Sequence, residues 1–158
     1  MKLYLDLDGV FADFHGRVTN LCGEGYHENP QRFWQTIDKI PNFFYTLDPL
    51  PYAYDMFEKF RHIKNKEFLT ACPGLTGKLV TAVEDKQSWV RDHLCPHTVV
   101  NVVPSWRHKA KYATPNSILV DDFDRNISAW TQAGGIGILH TDPVSTLKEL
   151  EKYLDKLA

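Results

Sequence analysis

Two acidic pairs lie at the ends of apolar runs in the sequence. Asp6 and Asp8 lie at the end of the first run, and Asp121 and Asp122 follow the run Ser117–Val120. If both runs form neighbouring parallel strands, their carboxyl ends meet at one edge of a sheet, where such sheets bind ligands. Clustered carboxylates repel one another unless a cation neutralises them, and oxygen ligands favour Mg²⁺. The spacing therefore indicates a site where Mg²⁺ and a phosphate group could meet.

Two further residues occupy comparable positions. Thr70 ends another apolar run, and Lys109 precedes the run that leads to Asp121. A hydroxyl donor and an ammonium group stabilise the charge on a transferring phosphoryl group. Taken alone, Thr70 could be an ordinary strand residue and Lys109 a surface lysine, and Lys111 competes with Lys109 for the same role.

The elements that must position these residues alternate between strands and helices. Uniformly apolar runs suit strands that are covered on both faces, as in a parallel sheet. The predicted strands are Lys2–Leu7, Glu67–Thr70, Thr98–Val103, Ser117–Val120 and Gly135–Leu139. This alternation predicts an α/β fold with a doubly wound parallel sheet.

Amphipathic patterns predict helices between the strands and after the last one. The predicted helices are Pro51–Ile63, Lys78–Leu94, Asp124–Gln132 and a last helix that starts with Asp142 and Pro143 and carries Val144, Leu147, Leu150, Leu154 and Leu157 on one face. The segment from Phe14 to about Lys64 has no convincing strand, and Asn29-Pro30 predicts a short helix within it. This segment is longer than one crossover helix needs. We therefore expect one domain, residues 1–158, with a helical cap, residues 15–64, inserted after the first strand.

The composition excludes several classes of protein. A chain of 158 residues is one ordinary domain, and its net charge of −2 without a basic run argues against a nucleic-acid partner. No apolar stretch approaches the roughly 20 residues that span a bilayer, so we expect no membrane partner. Asp6 and Asp8 interrupt the apolar core that a signal peptide would need. The three cysteines form no Cys-x-x-Cys pair, and we expect a cytoplasmic protein. The sequence predicts no particular oligomeric state.

The chemical positions together resemble the haloacid dehalogenase-like superfamily of phosphotransferases. The four motifs of that superfamily resemble Asp6-x-Asp8-Gly9-Val10, Thr70, Lys109 and Asp121-Asp122, in the same order. Six stretches narrow the resemblance to the 5′(3′)-deoxyribonucleotidases: Asp6–Phe14, Phe33-Trp34, Asn42–Ala53, Thr70–Pro73, Lys86–Val90 and Arg107–Lys109.

This resemblance implies a chemical role for each position. Asp6 would be the nucleophile that forms an aspartyl-phosphate, and Asp8 would be the general acid and then the general base. Thr70 and Lys109 would bind the non-bridging phosphate oxygens.

The resemblance also implies a Mg²⁺ site. The ion would be held by the Asp6 carboxylate, the Asp8 main-chain carbonyl and Asp122. Asp121 would lie behind these ligands and orient Lys109. The sequence leaves the order of Asp121 and Asp122 open.

The implied substrate is a deoxyribonucleoside monophosphate. Phe14, Phe33, Trp34 and Phe44 match positions that contact base and sugar, and aromatic rings can stack on a nucleobase. Ala71 stands where these enzymes usually have serine, which leaves only its backbone N–H for the phosphate. Three alternatives stay open. Phe33, Trp34 and Phe44 could only pack the cap, the substrate could be another small phosphate ester or a nucleic-acid 3′-phosphate, or the protein could bind nucleotides without catalysis.

Overall fold

The computed structural model describes residues 1–72 and 79–157 and contains a parallel sheet. Its strands are β1 (Lys2–Leu5), β2 (Lys66–Ala71), β3 (Val100–Val103), β4 (Ser117–Asp121) and β5 (Ile136–Leu139). The strand order is β3-β2-β1-β4-β5, and all four pairings are parallel. The predicted α/β fold with a parallel sheet is therefore confirmed, and the strand order reverses between β1 and β4.

The helices connect these strands and flank the sheet. They are α1 (Phe14–Cys22), α2 (Pro30–Ile37), α3 (Ala53–Lys59), α4 (Ala82–His93), α5 (Asp124–Gln132), α6 (Pro143–Glu151) and α7 (Leu154–Leu157). Three short 3-10 helices cover Tyr26–Glu28, Phe43–Thr46 and Trp106–Tyr112. The helix predicted at Lys78–Leu94 corresponds to α4. Its predicted start at Lys78, like Pro73 of the threonine motif, lies outside the described residues.

Alternating side chains of the strands form two apolar clusters, one on each face of the sheet. On β1, Leu3 and Leu5 belong to the larger cluster, whereas Tyr4 belongs to the smaller one. The larger cluster includes Trp89 of α4, and the smaller one includes Trp130 of α5. Helices therefore cover both faces, which is the doubly wound arrangement that the uniformly apolar strands predicted.

The segment between β1 and β2 leaves the sheet and returns at one place. Ala12 and Pro49 form an isolated antiparallel bridge, and Asp13 N–H donates to the Asp48 carbonyl at 2.8 Å. The segment between these two points is helical in α1 and α2. After it, α3 packs on the sheet, because the Phe57 ring stacks on Phe68 of β2 with centroids 5.9 Å apart. Whether residues 15–64 behave as a separate cap stays a prediction.

The last predicted helix is wrong in two respects. It is interrupted after Glu151, so that α6 and α7 replace one continuous helix, and Val144 is 76% exposed rather than part of the buried face. Leu150 and Leu157 are buried as expected. Asp142 caps α6 by accepting a hydrogen bond from Ser145 N–H at 2.9 Å, with Pro143 at the first position.

Helix α4 joins the inserted segment to the sheet. The buried Asp85 carboxylate accepts hydrogen bonds from Asn42 Nδ2 at 2.9 Å and from Thr81 Oγ1 at 3.0 Å. Trp89 Nε1 donates to the Leu47 carbonyl at 2.7 Å. These contacts fix the first turns of α4 against the segment that follows β1. None of the helices in the described residues is long and apolar enough to cross a membrane.

Candidate functional site at the carboxyl ends of β1 and β4

The two acidic pairs meet because β1 and β4 are neighbours. Leu5 is in register with Val120, and Asp6 N–H donates to the Val120 carbonyl at 2.9 Å. Carboxylate oxygens of Asp6, Asp121 and Asp122 all lie within 4.8 Å of one another. The edge lies at the reversal of strand order, where open α/β sheets bind their ligands.

Lys109 is buried between two of these carboxylates. Its Nζ lies 2.7 Å from Asp6 Oδ1 and 2.6 Å from Asp121 Oδ2, and the residue is 2% exposed. Burial by itself would lower the pKa of Lys109, but the charges of Asp6 and Asp121 outweigh this effect and raise it. The ammonium therefore stays charged and neutralises one of the carboxylates.

Asp121 is held by hydrogen bonds on both of its oxygens. Besides the bond from Lys109, Oδ1 accepts from Phe123 N–H at 2.9 Å, and Asn126 Nδ2 lies 2.9 and 3.0 Å from Oδ1 and Oδ2. The residue has no exposed surface. Its lone pairs are thus engaged within the protein, and its clearest role is to orient Lys109.

Asp122 differs from the fully buried Asp121, because Asp122 is exposed and its carboxylate lies next to Gly9. A Cβ atom placed on Gly9 would lie 2.1 Å from Asp122 Oδ2, and Gly9 has a φ of +81°. Only glycine fits both the left-handed backbone and the close approach of the carboxylate. The turn after β1 therefore makes room for Asp122 next to Asp6.

The electrostatics of Asp6 and Asp122 suit a divalent cation. Burial and the neighbouring Asp121 raise the pKa of Asp6 to about 8. Partial desolvation and Asp121 raise the pKa of Asp122 to about 7. Both shifts express the cost of placing negative charges together, which a cation would remove. Because the donors are all oxygens, Asp6 and Asp122 fit Mg²⁺, with Asp121 behind them.

A second buried lysine, Lys86 of α4, faces Asp8 and Thr70. Its Nζ forms an ion pair with Asp8 Oδ2 and donates to Thr70 Oγ1 at 3.2 Å, and the residue has no exposed surface. The ammonium also lies 4.2 Å from the centroid of the Phe44 ring. The other oxygen of Asp8, Oδ1, is buried and has no hydrogen-bond partner among the described residues. Lys86 thus holds Asp8 and Thr70 in one group.

Sequence reasoning gave no role to Lys86 or Asn126. One signal was present for Lys86, since helical spacing places it on the same buried face as Ala82, Trp89 and Val90. A lysine on such a face requires a buried partner. Asn126 carries no comparable signal, because an asparagine in the first turn of a helix is common without a role in a site.

A cavity of about 680 Å³ connects these groups with the segment after β1. Every site residue predicted from the sequence lines it except the buried Asp121: Asp6, Asp8, Phe14, Phe33, Trp34, Phe44, Thr70, Ala71, Lys109 and Asp122. The charged residues of this lining, Asp6, Asp8, Lys109 and Asp122, are here called the charged floor, and Phe14, Phe33, Trp34 and Phe44 are called the aromatic wall. The cavity has room for a small phosphate ester.

The aromatic wall includes both accessible and buried rings. The Phe14 and Phe44 rings are nearly parallel, at 9°, with centroids 6.2 Å apart, and Trp34 lies 6.3 Å from Phe14. Phe14 and Trp34 are half-buried, whereas Phe33 and Phe44 are 7% and 2% exposed. Phe33 and Phe44 therefore contribute mainly to packing, and Phe14 and Trp34 present the larger accessible surfaces.

The chain is distantly similar in structure to known proteins. No protein-family model matches the chain. The crystal structure of a hydrolase from Streptococcus pneumoniae TIGR4 is similar over 98% of this chain and 97% of that one, with 14% sequence identity and a TM-score of 0.48. At these values we draw no conclusion about activity from the likeness.

The raised pKa values predict how pH acts on the protein without metal. Asp6 and Asp122 titrate at about 8 and about 7 in the folded state, against an ordinary value of 3.8. The folded state thus holds protons that the unfolded chain has released. Its free energy of unfolding should therefore fall as pH rises from about 4 to about 8. Thermal unfolding in EDTA should show this trend more steeply for the wild type than for Asp122→Asn, since other groups such as His140 titrate alike in both.

Millimolar Mg²⁺ should raise the melting temperature more at about pH 8 than at about pH 6, because the ion binds deprotonated carboxylates. The control for the pH measurement in EDTA is Asp124→Asn, which removes an exposed carboxylate outside the cluster. This variant should show the same slope of unfolding free energy against pH as the wild type. Parallel pH slopes for the wild type and Asp122→Asn would contradict the assignment of a raised pKa to Asp122.

Proposed function

We propose that the protein is a Mg²⁺-dependent phosphohydrolase that removes phosphate from deoxyribonucleoside monophosphates, as the resemblance to the haloacid dehalogenase-like 5′(3′)-deoxyribonucleotidases implies. The observation that carries the proposal is the shared cavity. In it, the carboxylates of Asp6 and Asp122, the hydroxyl of Thr70 and the ammonium of Lys109 lie together with the aromatic rings after β1. The cytoplasm stays the expected compartment.

In the first step, an oxygen of Asp6 attacks the phosphorus of the ester and the bond to the leaving alkoxide breaks. Asp8 donates its proton to that alkoxide as the bond breaks. The buried Oδ1 of Asp8, which has no partner among the described residues, is the oxygen available for this transfer. Lys86 holds the other oxygen and so fixes the direction in which Oδ1 points.

In the second step, Asp8 takes a proton from a water molecule, and the water oxygen attacks the phosphorus of the aspartyl-phosphate. The bond between phosphorus and Asp6 breaks, which releases inorganic phosphate and returns both carboxyl groups to their starting states. Two acids separated by one residue can therefore perform both steps without another proton carrier.

An ammonium group and neutral hydrogen-bond donors stabilise the charge of the transferring phosphoryl group in both steps. Lys109 is held against Asp6 by Asp121, and Thr70 is held by Lys86, so neither needs to reorganise during the reaction. A bound Mg²⁺ would supply further charge neutralisation at the phosphate oxygens. Ala71 lines the same cavity, where its backbone N–H would be the donor to the phosphate.

The aromatic wall supports a nucleoside as the group that carries the phosphate. Phe14 and Trp34 are half-buried and line the cavity, so their accessible faces can pack against a base or sugar. Stacking of this kind contributes roughly 1–3 kcal/mol per base in single-strand binders.

Replacing the nucleophile tests the reaction. Asp6→Asn should lower phosphatase turnover of both an aryl phosphate and dUMP by at least about a thousandfold, since the amide is a poor nucleophile. Circular dichroism should show an intact fold, and Asp124→Asn should keep near wild-type turnover. Turnover of Asp6→Asn within about tenfold of the wild type would remove Asp6 as the nucleophile.

Replacing the accessible rings tests the substrate class. Trp34→Ala and Phe14→Ala should each lower kcat/KM for dUMP or dTMP by about fivefold to a hundredfold, with a smaller loss for an aryl phosphate. Tyr54→Ala removes an aromatic residue that is 53% exposed and lies outside the cavity, and should change neither value. Equal losses on nucleotide and aryl phosphate would mean that these rings do not contact a base. A panel with UMP and sugar phosphates separates the nucleotidase from a phosphatase for other small esters.

A further inference from the structure

An arginine at the start of α5 lies over two aromatic rings beside the candidate site. Arg125 Cζ lies 4.6 Å from the centroid of the Trp106 ring and 4.5 Å from that of the Phe123 ring. Phe123 is 51% exposed, so the group lies at the surface of the cavity rather than in the core. Stacked rings restrict the plane of a guanidinium while its N–H groups stay free at the edges.

Arg125 has no charged or hydrogen-bonding partner within residues 1–72 and 79–157. No carboxylate in those ranges lies within 4.0 Å of its guanidinium, although Asp122 and Asp124 are close in sequence. Its five donors are therefore available to a ligand. A guanidinium held in plane with free donors suits bidentate binding of a phosphate.

The cavity relates Arg125 to the site of phosphoryl transfer. Arg125, Trp106 and Phe123 line the same cavity as Asp6 and Asp122. Arg125 lies three positions after Asp122 in the chain, so their Cα atoms are at most about 11 Å apart. A molecule whose phosphate lies at Asp6 can thus extend to Arg125.

The balance of charge indicates an anion at this second position. With Asp8 protonated as the general acid, Asp6, Asp121 and Asp122 carry three negative charges. Lys86 and Lys109 carry two positive charges, which leaves one net negative charge for a divalent cation to neutralise. Arg125 is a further positive charge that this cluster does not use. The faces of Trp106 and Phe123 are in contact with Arg125 itself, which leaves less ring surface for a base to stack on.

We propose that Arg125 binds a second phosphate group of the substrate, so that the protein prefers nucleotides with two phosphates over monophosphates. The proposal rests on the proposed function for the first phosphate and adds a specificity-determining residue to it. The second phosphate could belong to a nucleoside 3′,5′-bisphosphate or to the phosphodiester next to the terminal phosphate of a short strand.

Equilibrium binding tests this proposal without catalysis. In Asp6→Asn protein with Mg²⁺, calorimetry should give a Kd for deoxythymidine 3′,5′-bisphosphate about tenfold to a hundredfold lower than for dTMP. The double variant Asp6→Asn/Arg125→Met should lose this preference, and Arg125→Lys should keep part of it, because lysine retains the charge but not the fork.

Arg107 offers a matched control. Its guanidinium also lies over the Trp106 ring, at 4.7 Å, but it does not line the cavity. Asp6→Asn/Arg107→Met should therefore keep the preference for the bisphosphate. Equal Kd values for bisphosphate and monophosphate, or a preference that survives Arg125→Met, would overturn the proposal.

A binding measurement with a dinucleotide and a hydrolysis assay separate the possible outcomes. A dinucleotide with a terminal phosphate that binds more tightly than the bisphosphate would identify a strand end as the source of the second phosphate, and weaker binding would identify the free nucleotide. Wild-type protein that hydrolyses none of these compounds would refute the proposed function, whereas a binding preference that depends on Arg125 would still support the second phosphate site.

Discussion

The buried ammonium of Lys109 is the interaction on which the candidate site depends. Asp6 follows β1 and Asp121 ends the adjacent β4, so the sheet brings their negative charges together in a region with little solvent. Lys109 lies within 2.7 Å of both carboxylates and compensates for their repulsion. Without this ion pair, two buried aspartates would be strongly destabilising. The same contact holds Asp6 at the floor of the cavity.

The four aspartates of the site have different partners. Asp121 is engaged by Lys109, Asn126 and the backbone, whereas Asp6 and Asp122 keep oxygens that face the cavity. Asp8 is paired with a different lysine, Lys86. Each carboxylate therefore has its own electrostatic environment, which is how similar acids acquire different roles in one site. The mechanism that we propose uses these differences.

The sequence could predict the parts of the fold that rest on strand patterning. The uniformly apolar runs before Asp6 and Asp121 predicted buried parallel strands, and their acidic ends predicted a shared edge. The pattern could not predict which residues of the last helix join the core, because periodicity alone does not show how far the core extends. Val144 lies on the apolar stripe at the start of the helix and is nevertheless exposed. The sequence also indicated no role for Lys86, because its partners Asp8 and Thr70 lie on other elements of the fold.

The most direct test of the account is to identify the covalent intermediate. Wild-type protein mixed with substrate and Mg²⁺, quenched in acid within milliseconds and digested, should yield a peptide containing Asp6 whose mass is increased by one phosphoryl group. Fragmentation should place that group on Asp6 and not on Asp8. A phosphorylated peptide from another part of the chain, or rapid turnover without any phosphorylated peptide, would contradict the claim that Asp6 at the β1 edge is the nucleophile.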